Sequence, residues 1–196
     1  MGVEIYPLHW LQAEAVTLGL GPAAIMVARW AGLGAVLLLL AVFVLWPRRS
    51  VEVRRAVVHA LIAGAVAYLL AIVVSNSFPI ARPPAATGGL VRALLPMPAS
   101  SAFPARLGAF LFGTAAGLWP AGEDWVVPGF LYAALAALGQ MIAGLYFPSD
   151  EMGALILGVS SAVAVLLAQG LFRGPVNALV QLGGWKPSRR PRRGVK

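Results

Sequence analysis

Two adjacent carboxylates, Asp150 and Glu151, lie in a short polar turn between strongly apolar stretches, within the segment GLYFPSDEMGALILG at 144–158. Such a pair could bind a hard cation such as Ca²⁺ or Mg²⁺, although two carboxylates on one turn are too few for a dedicated cage. The pair could also cap a helix: Ser149 or Asp150 as the N-cap would place negative charge at the positive end of a helix that begins near residue 152. The pattern favours the helix cap.

Other metal-binding and nucleophilic side chains are scarce. The chain has no cysteine and two histidines, His9 and His59. His9 is next to Trp10 on the predicted N-terminal helix, whereas His59 is near the start of a later apolar helix. With neither a cysteine nor a histidine pair, we expect no transition-metal site and no cofactor.

Arginines supply the candidate anion-binding groups. Arg82, Arg92 and Arg106 lie in a region that is otherwise poor in charge, and together they could bind an anionic lipid headgroup. A pairing of Arg82 or Arg106 with Asp150 is the structural alternative. We interpret Arg29, one or two turns into an apolar helix, as a side chain that snorkels to the membrane surface.

Composition defines the class of protein that carries these residues. The chain of 196 residues is 60% hydrophobic and 11% charged, which leaves too little polar surface to cover a soluble globule. Windows 56–81, 125–149 and 152–172 contain no Asp, Glu, Lys or Arg, and a membrane-spanning helix needs about 20 such residues. The N-terminus lacks the basic start and early apolar core of a cleavable signal peptide. We therefore predict an integral membrane protein.

Hydrophobic periodicity predicts an all-helical, polytopic membrane bundle. An amphipathic helix comes first, and about five spans follow in one membrane-embedded domain, residues 1–175. A basic tail, residues 176–196, completes the chain. The amphipathic helix is predicted at about 5–18, and the spans at about 22–46, 56–75, 104–119, 125–146 and 152–172.

The segment between the second and third spans, SNSFPIARPPAATGGLVRALLPMPASSAFP at 75–104, is too rich in Pro, Gly and Ser to form a regular helix throughout. We predict a long loop, for which a re-entrant course through the membrane is an open alternative. Long loops in compact domains are usually functional.

Positive charge predicts the orientation, because Lys and Arg in short loops favour the cytoplasmic side. Four arginines, at 48–55, lie between the first two spans, and seven Lys or Arg residues lie from Arg173 onward. We expect the protein in the inner membrane of a bacterium. Five spans then place both groups of basic residues on the cytoplasmic side. The N-terminus, the 75–104 loop and the Ser149-Asp150 turn are then outside. The net charge of +8 reflects this bias and attraction to anionic lipids, so we expect no nucleic-acid partner.

Three segments on the predicted outer face resemble signature motifs of a known family. They are IARPP at 80–84, SSAFPARLGAF at 100–110 and GQMIAGLYFPSDEMGALILG at 139–158. In order and approximate spacing they resemble the three motifs of the type-2 phosphatidic acid phosphatase superfamily, most closely those of bacterial undecaprenyl-diphosphate phosphatases. The likeness covers residues from about 20 to 175 and implies a lipid-phosphatase-like fold.

The resemblance implies a role for each matching position. In the family, a third-motif His attacks phosphorus, an Asp orients that His, a second-motif His protonates the leaving oxygen, and Lys and Arg hold the phosphoryl oxygens. Here the nucleophile position falls on Tyr146, the acid position on Leu107 and an arginine position on Gln140. Arg82 and Asp150 are retained.

These replacements remove groups that phosphoryl transfer requires. Leu107 cannot transfer a proton, and loss of general acid catalysis typically costs about 10²- to 10⁴-fold in rate. Gln140 lacks the bidentate, charge-assisted contact that a guanidinium makes with phosphate, and Ser75 stands at the lysine position. The resemblance therefore implies a scaffold that has lost its chemistry.

Tyr146 has two interpretations. A phenol is a weak nucleophile unless a base or a cation activates it, and only Asp150, four residues on, is near in sequence. The interpretation that we favour places Tyr146 and Phe147 in the aromatic belt at the membrane interface.

Small residues recur at spacings of three and four in apolar segments such as GAFLFGTAAG at 108–117 and GALILGVSSA at 153–162. They allow close helix approach, within the bundle or toward a partner subunit. We therefore expect a catalytically inactive membrane protein that binds a membrane lipid, isoprenoid or lipid phosphate in the former active-site cavity, or serves as an accessory or structural subunit of a complex or oligomer. The alternative is an active undecaprenyl-diphosphate phosphatase with a rearranged site. A small transporter is less favoured, because the spans lack paired ionisable residues.

Overall fold

The computed structural model of the chain describes residues 2–45, 51–97 and 100–170, together with Gly174 and Ala178. Within these residues the regular structure is entirely helical, as predicted. The helices are α1 (Gly2–Thr17), α2 (Gly21–Leu45), α3 (Val51–Ser77), α4 (Pro83–Ala86), α5 (Arg106–Gly117), α6 (Glu123–Ile142) and α7 (Pro148–Leu167), with a 3₁₀ turn at Trp119–Ala121.

Four helices in the described part of the chain, α2, α3, α6 and α7, are long and apolar enough to cross a membrane. The predicted span at 104–119 forms the 12-residue helix α5 instead, which is about 18 Å long at 1.5 Å per residue. Pro104 comes before this helix, and the 3₁₀ turn that contains Pro120 follows it. The five predicted spans therefore become four long helices and one short inner helix.

The short helix α5 packs between α3 and α7 through glycine and alanine. It runs antiparallel to α3, since Gly117 lies against Ala60 while Arg106 lies against Ser75. At the α7 contact, a methyl group added to Gly158 would lie 2.6 Å from a backbone nitrogen of α5. The small residues at spacings of three and four thus bring the backbones of one bundle together.

The helix pair α2 and α6 forms the other side of the bundle. The two run antiparallel, with Gly139 of α6 against Val27 of α2 and the Tyr132 hydroxyl donating to the Ala31 carbonyl at 2.8 Å. One face of α2 is exposed and apolar, with Leu33, Leu37 and neighbouring leucines at its surface. Such a face suits contact with lipid chains in a membrane-spanning bundle.

Three polar segments meet at one end of the bundle: α1, the 75–104 loop and the turn between α6 and α7. The Gln12 side chain donates to the Ile142 carbonyl at 2.9 Å, and the Ser149 hydroxyl donates to the Glu4 carboxylate at 2.8 Å. The loop joins the turn where the Leu94 N–H donates to the Ala143 carbonyl at 3.0 Å. The predicted convergence of these segments is therefore present in the fold. We call this region the polar end.

Most of the basic residues on which the predicted orientation rests lie outside the described residues. They include Arg48, Arg49 and the basic part of the predicted 176–196 tail, from Lys186 onward. Arg54 and Arg55 are described, and both lie near the start of α3. The Arg54 guanidinium lies 5.6 Å from the centre of the Phe43 ring, an interaction that ties the end of α2 to the start of α3.

Candidate functional site

Arg82 is the centre of the polar end. Its backbone is extended and precedes Pro83, the first residue of α4, a conformation that proline imposes on the residue before it. The buried guanidinium donates to the Ser100 carbonyl at 3.0 Å, the Leu145 carbonyl at 3.0 Å and the Ser101 carbonyl at 3.4 Å, and to the Ser100 hydroxyl at 3.2 Å. The side chain therefore holds the loop to the α6–α7 turn.

Tyr146 covers one face of this guanidinium, whose central carbon lies 4.8 Å from the ring centre. The ring is 6% exposed and belongs to the main apolar core of the bundle. Cation–π contact of this kind stabilises a buried arginine without a carboxylate. The predicted place of Tyr146 and Phe147 in the aromatic belt at the membrane interface is therefore wrong, because rings of such a belt face the lipid, whereas both of these rings are buried inside the bundle.

Asp150 acts as a cap, although not at the predicted position. The helix α7 begins at Pro148, with Phe147 rather than Ser149 or Asp150 as its N-cap residue. The Asp150 carboxylate accepts a hydrogen bond from the Phe147 N–H at 2.7 Å, which satisfies a donor that the helix leaves free. The sequence suggested a later helix start, but proline is well suited to the first helical position.

The alternative in which Arg82 or Arg106 pairs with Asp150 does not match the observed contacts. Among the described residues, Arg82 donates to backbone carbonyls and a hydroxyl, and the Arg106 Nε donates to the Ser75 hydroxyl at 3.4 Å. The Asp150 carboxylate is instead bound to the backbone of its own helix start. The three charged groups share the polar end, but each has a separate local role.

The other positions that match the family motifs are packed into the bundle. Leu107 packs against the main apolar core and points toward Gly32 of α2. Gln140 is 2% exposed, and its amide donates to the Ala136 carbonyl of its own helix at 3.5 Å. Neither side chain reaches a partner that could assist phosphoryl transfer.

The buried position of Glu151 was not predicted from the sequence. It is 5% exposed, and neither carboxylate oxygen has a hydrogen-bond partner among the described residues. Its carboxylate lies against Gly108 of α5, where any larger side chain would overlap it. The contact with α5 contributes to this burial, and a contact between separate helices is not visible in a local sequence pattern.

Arg82 and its partners Ser100, Ser101, Leu145 and Tyr146 form what we call the Arg82 cluster. Arg92 is not part of this cluster, and its side chain is exposed. Its backbone is fixed by the buried side chain of Gln12, which donates to the Arg92 carbonyl at 2.7 Å and accepts from the Arg92 N–H at 3.0 Å. Gly144, at φ +72°, packs directly against the same carbonyl. Gln12 was not predicted as a site residue, and its polar type on an otherwise mixed helix gave little signal.

An apolar cavity of about 410 Å³ lies between α2, α5 and α6, within the range of about 300–1,000 Å³ that is usual for ligand pockets. The Thr114 and Tyr132 hydroxyls in its wall donate to backbone carbonyls, at 2.7 Å and 2.8 Å, and Asp124 is the charged residue of its lining. Most of the lining is apolar. It includes none of the residues of the Arg82 cluster. Its lining includes Ala35, Leu39, Leu111, Ala115, Leu118 and Gly129.

Comparisons of this chain with models of known protein families and with curated proteins found no match. Within the described residues, no group of three or more His, Asp or Glu side chains is placed to hold a metal ion. The fold and the contacts of the polar end are therefore the basis for assigning a function.

Proposed function

We propose that this protein is a catalytically inactive, lipid-phosphatase-like membrane protein that binds an apolar lipid or isoprenoid chain and serves as an accessory or structural subunit. The proposal rests on the contacts that the Arg82 side chain makes. In a working phosphatase of the type that the motifs resemble, this guanidinium would hold phosphoryl oxygens. Here it donates to three backbone carbonyls and stacks on Tyr146.

A phosphate group would have to displace those internal contacts before it could bind Arg82. Each displaced carbonyl would then be a buried acceptor without a partner, which costs about 1–3 kcal/mol. Tyr146, at the nucleophile position, contacts the Arg82 guanidinium, whose donors are already bonded to carbonyls. The Asp150 carboxylate already accepts a hydrogen bond from a backbone N–H. The Arg82 side chain, its bonded carbonyls and the Tyr146 ring therefore form a structural contact, which we call the clamp.

The apolar cavity between α2, α5 and α6 supports the lipid-binding part of the proposal. The sequence placed this binding in the former active-site cavity, whereas the apolar cavity lies among residues 35–42, 111–118 and 124–132. Hydrocarbon has no hydrogen-bonding requirement, so walls whose hydroxyls bond internally suit an acyl or isoprenoid chain.

A phosphate-release assay tests the inactive assignment. We expect the purified protein to release phosphate from undecaprenyl diphosphate only at the background rate. Turnover that Tyr146→Phe abolishes would overturn the proposal and support the alternative of an active phosphatase with a rearranged site.

Native mass spectrometry with added undecaprenyl phosphate tests the apolar cavity. Ala35 lines the cavity and is 7% exposed, so Ala35→Phe should fill part of it and reduce lipid binding several-fold. Ala134→Phe is the matched control, because Ala134 is exposed on α6 and lies outside the cavity lining. Equal lipid binding by both variants would exclude the cavity as the site.

The subunit role needs a separate measurement. We expect mild detergent extraction from the native membrane to yield a complex with at least one other membrane protein or a second copy. A monomer that carries lipid alone would support the lipid-binding part and contradict the subunit part.

A further inference from the structure

A pocket of about 620 Å³, lined by both apolar and polar residues, lies between α1 and the 75–104 loop. Neither Arg82 nor Tyr146 is among its lining residues, so it is distinct from the clamp and from the apolar cavity. The lining includes His9, Gln12 and Thr17 from α1, and Gly89, Leu90 and Arg92 from the loop.

The construction of this pocket fixes Arg92 while leaving its charge available. Gln12 bonds both the N–H and the carbonyl of Arg92, and the Gly144 backbone packs on the same carbonyl. The guanidinium itself is exposed and has no hydrogen-bond partner among the residues that the structure describes. A rigid backbone under a free guanidinium reduces the entropy that a ligand contact must overcome.

The pocket combines positive charge with apolar surface. His9 and Arg92 are its titratable lining residues, and its lining contains no carboxylate. Val16 and Leu90, also in the lining, are 47% and 46% exposed. On the outer side of α1, Tyr6 and Trp10 are 76% and 66% exposed, and such rings are typical of the membrane interface. The exposed rings favour a position of this pocket at the level of the lipid headgroups.

We propose that the α1–loop pocket binds the phosphate of an anionic phospholipid headgroup. The Arg92 guanidinium is the principal cation, because its planar donors match two phosphate oxygens at once. The His9 imidazole is a second polar contact, and Val16 and Leu90 contact the start of the lipid chains. This site does not depend on the proposed loss of catalysis or on the apolar cavity.

Titration of the detergent-purified full chain with dioctanoyl phosphatidylglycerol tests the proposal. Arg92→Gln should weaken binding about tenfold, which corresponds to about 1.4 kcal/mol. Arg29→Gln is the matched control, because Arg29 is also exposed and its side chain lies over Trp30 on α2, away from the pocket. It should change the affinity less than twofold. Equal losses in the two variants would overturn the proposal.

Two further ligands distinguish a lipid headgroup from free phosphate. We expect dioctanoyl phosphatidylcholine and inorganic phosphate each to bind at least tenfold more weakly than the phosphatidylglycerol. Inorganic phosphate that binds as tightly as the lipid would overturn the assignment to a lipid, and phosphatidylcholine that does so would overturn the role of net negative charge.

Headgroup-labelled, photoactivatable phosphatidylglycerol locates the contact. Cross-links should fall within residues 9–17 or 89–94, and should decrease in Arg92→Gln. Cross-links confined to the basic residues from Lys186 onward would contradict the site.

A second variant is needed if Arg92→Gln unfolds at a lower temperature than the wild type. His9→Gln then replaces it in the titration, with an expected loss of about threefold in affinity. An unchanged affinity in a folded His9→Gln variant would then overturn the pocket.

Discussion

Arg82 and Arg92 are ten residues apart in the same loop, and their side chains have opposite environments. Arg82 is 6% exposed and its guanidinium bonds to backbone carbonyls, whereas the guanidinium of Arg92 is exposed and its backbone is bonded instead. Both arginines stabilise the polar end, one through its side chain and the other through its main chain. A motif arginine is therefore not by itself an anion site, since the donors must also be free.

The largest expected effect comes from Arg82→Leu. The variant leaves the Ser100, Ser101 and Leu145 carbonyls without their donor inside the polar end. At about 1–3 kcal/mol for each unsatisfied acceptor, we expect the free energy of unfolding to fall by at least about 3 kcal/mol in mixed micelles. Arg92→Leu is the control and should stay within about 0.5 kcal/mol of the wild type. Similar losses in both variants would remove the distinction between the two arginines.

Gly144→Ala should have the second largest effect. Gly144 has φ +72°, and an added methyl group would overlap the Arg92 carbonyl oxygen. We expect a loss of about 2–4 kcal/mol, from left-handed strain together with overpacking. Gly19→Ala separates the two causes, because Gly19 has φ +74° with nothing within 4 Å of the added group. It should lose about 1–2 kcal/mol, and an equal loss at both sites would exclude the contact with Arg92.

Gln12→Leu should release the Arg92 backbone without removing its charge. The variant loses the hydrogen bonds that join α1 to the loop and to the end of α6, which we expect to cost about 1–3 kcal/mol. Hydrogen exchange at the Arg92 amide should become at least about fivefold faster. Glu14→Gln, on the exposed face of α1, should leave that exchange rate unchanged. Unaltered exchange in Gln12→Leu would show that the loop is held by other contacts.

Tyr146→Phe should have the smallest effect. The ring contact with Arg82 at 4.8 Å depends on the aromatic face, which phenylalanine retains. We expect the melting temperature to remain within about 2 °C, corresponding to less than about 0.5 kcal/mol. Tyr146→Leu removes the aromatic face and should cost more. A large loss in Tyr146→Phe would show that the hydroxyl, rather than the ring, stabilises the clamp.

Local patterns predicted the helices well. Long apolar runs, three of them without any charged residue and one with Arg29 alone, predicted the four helices that are candidate spans. The density of Pro and Gly predicted an irregular 75–104 loop, in which α4 is one short turn. The helix predicted at 104–119 is present as Arg106–Gly117, two residues shorter at each end, with Pro104 just before it and Pro120 just after it. The spacing of glycines in α5 and α7 predicted close helix contact but not which helices would meet.

The site was less accessible to prediction from the sequence. The sequence singled out Arg82, Tyr146 and Asp150, and these residues do lie in the polar end. The sequence predicted a helix cap at Asp150, but not that its carboxylate would accept from the Phe147 N–H. The roles of Arg82 as a clamp and of Tyr146 as its stacking ring could not be read from their types, because each role depends on a partner that is distant in sequence. Gln12 was missed as a site residue for the same reason, since it acts 80 residues away in sequence. Glu151 was singled out together with Asp150, but its burial against α5 was not predicted.

The sequence by itself determined that this chain is a helical membrane protein, because 60% hydrophobic composition and long uncharged windows leave no other stable environment for its surface. It also determined which chemical groups are absent, since a leucine cannot transfer a proton in any fold. Only the tertiary structure decided that the Arg82 guanidinium is bonded to backbone carbonyls whereas the Arg92 guanidinium is available to a ligand. That decision depends on where carbonyl oxygens from distant segments meet, because a buried donor and acceptor must find each other in space.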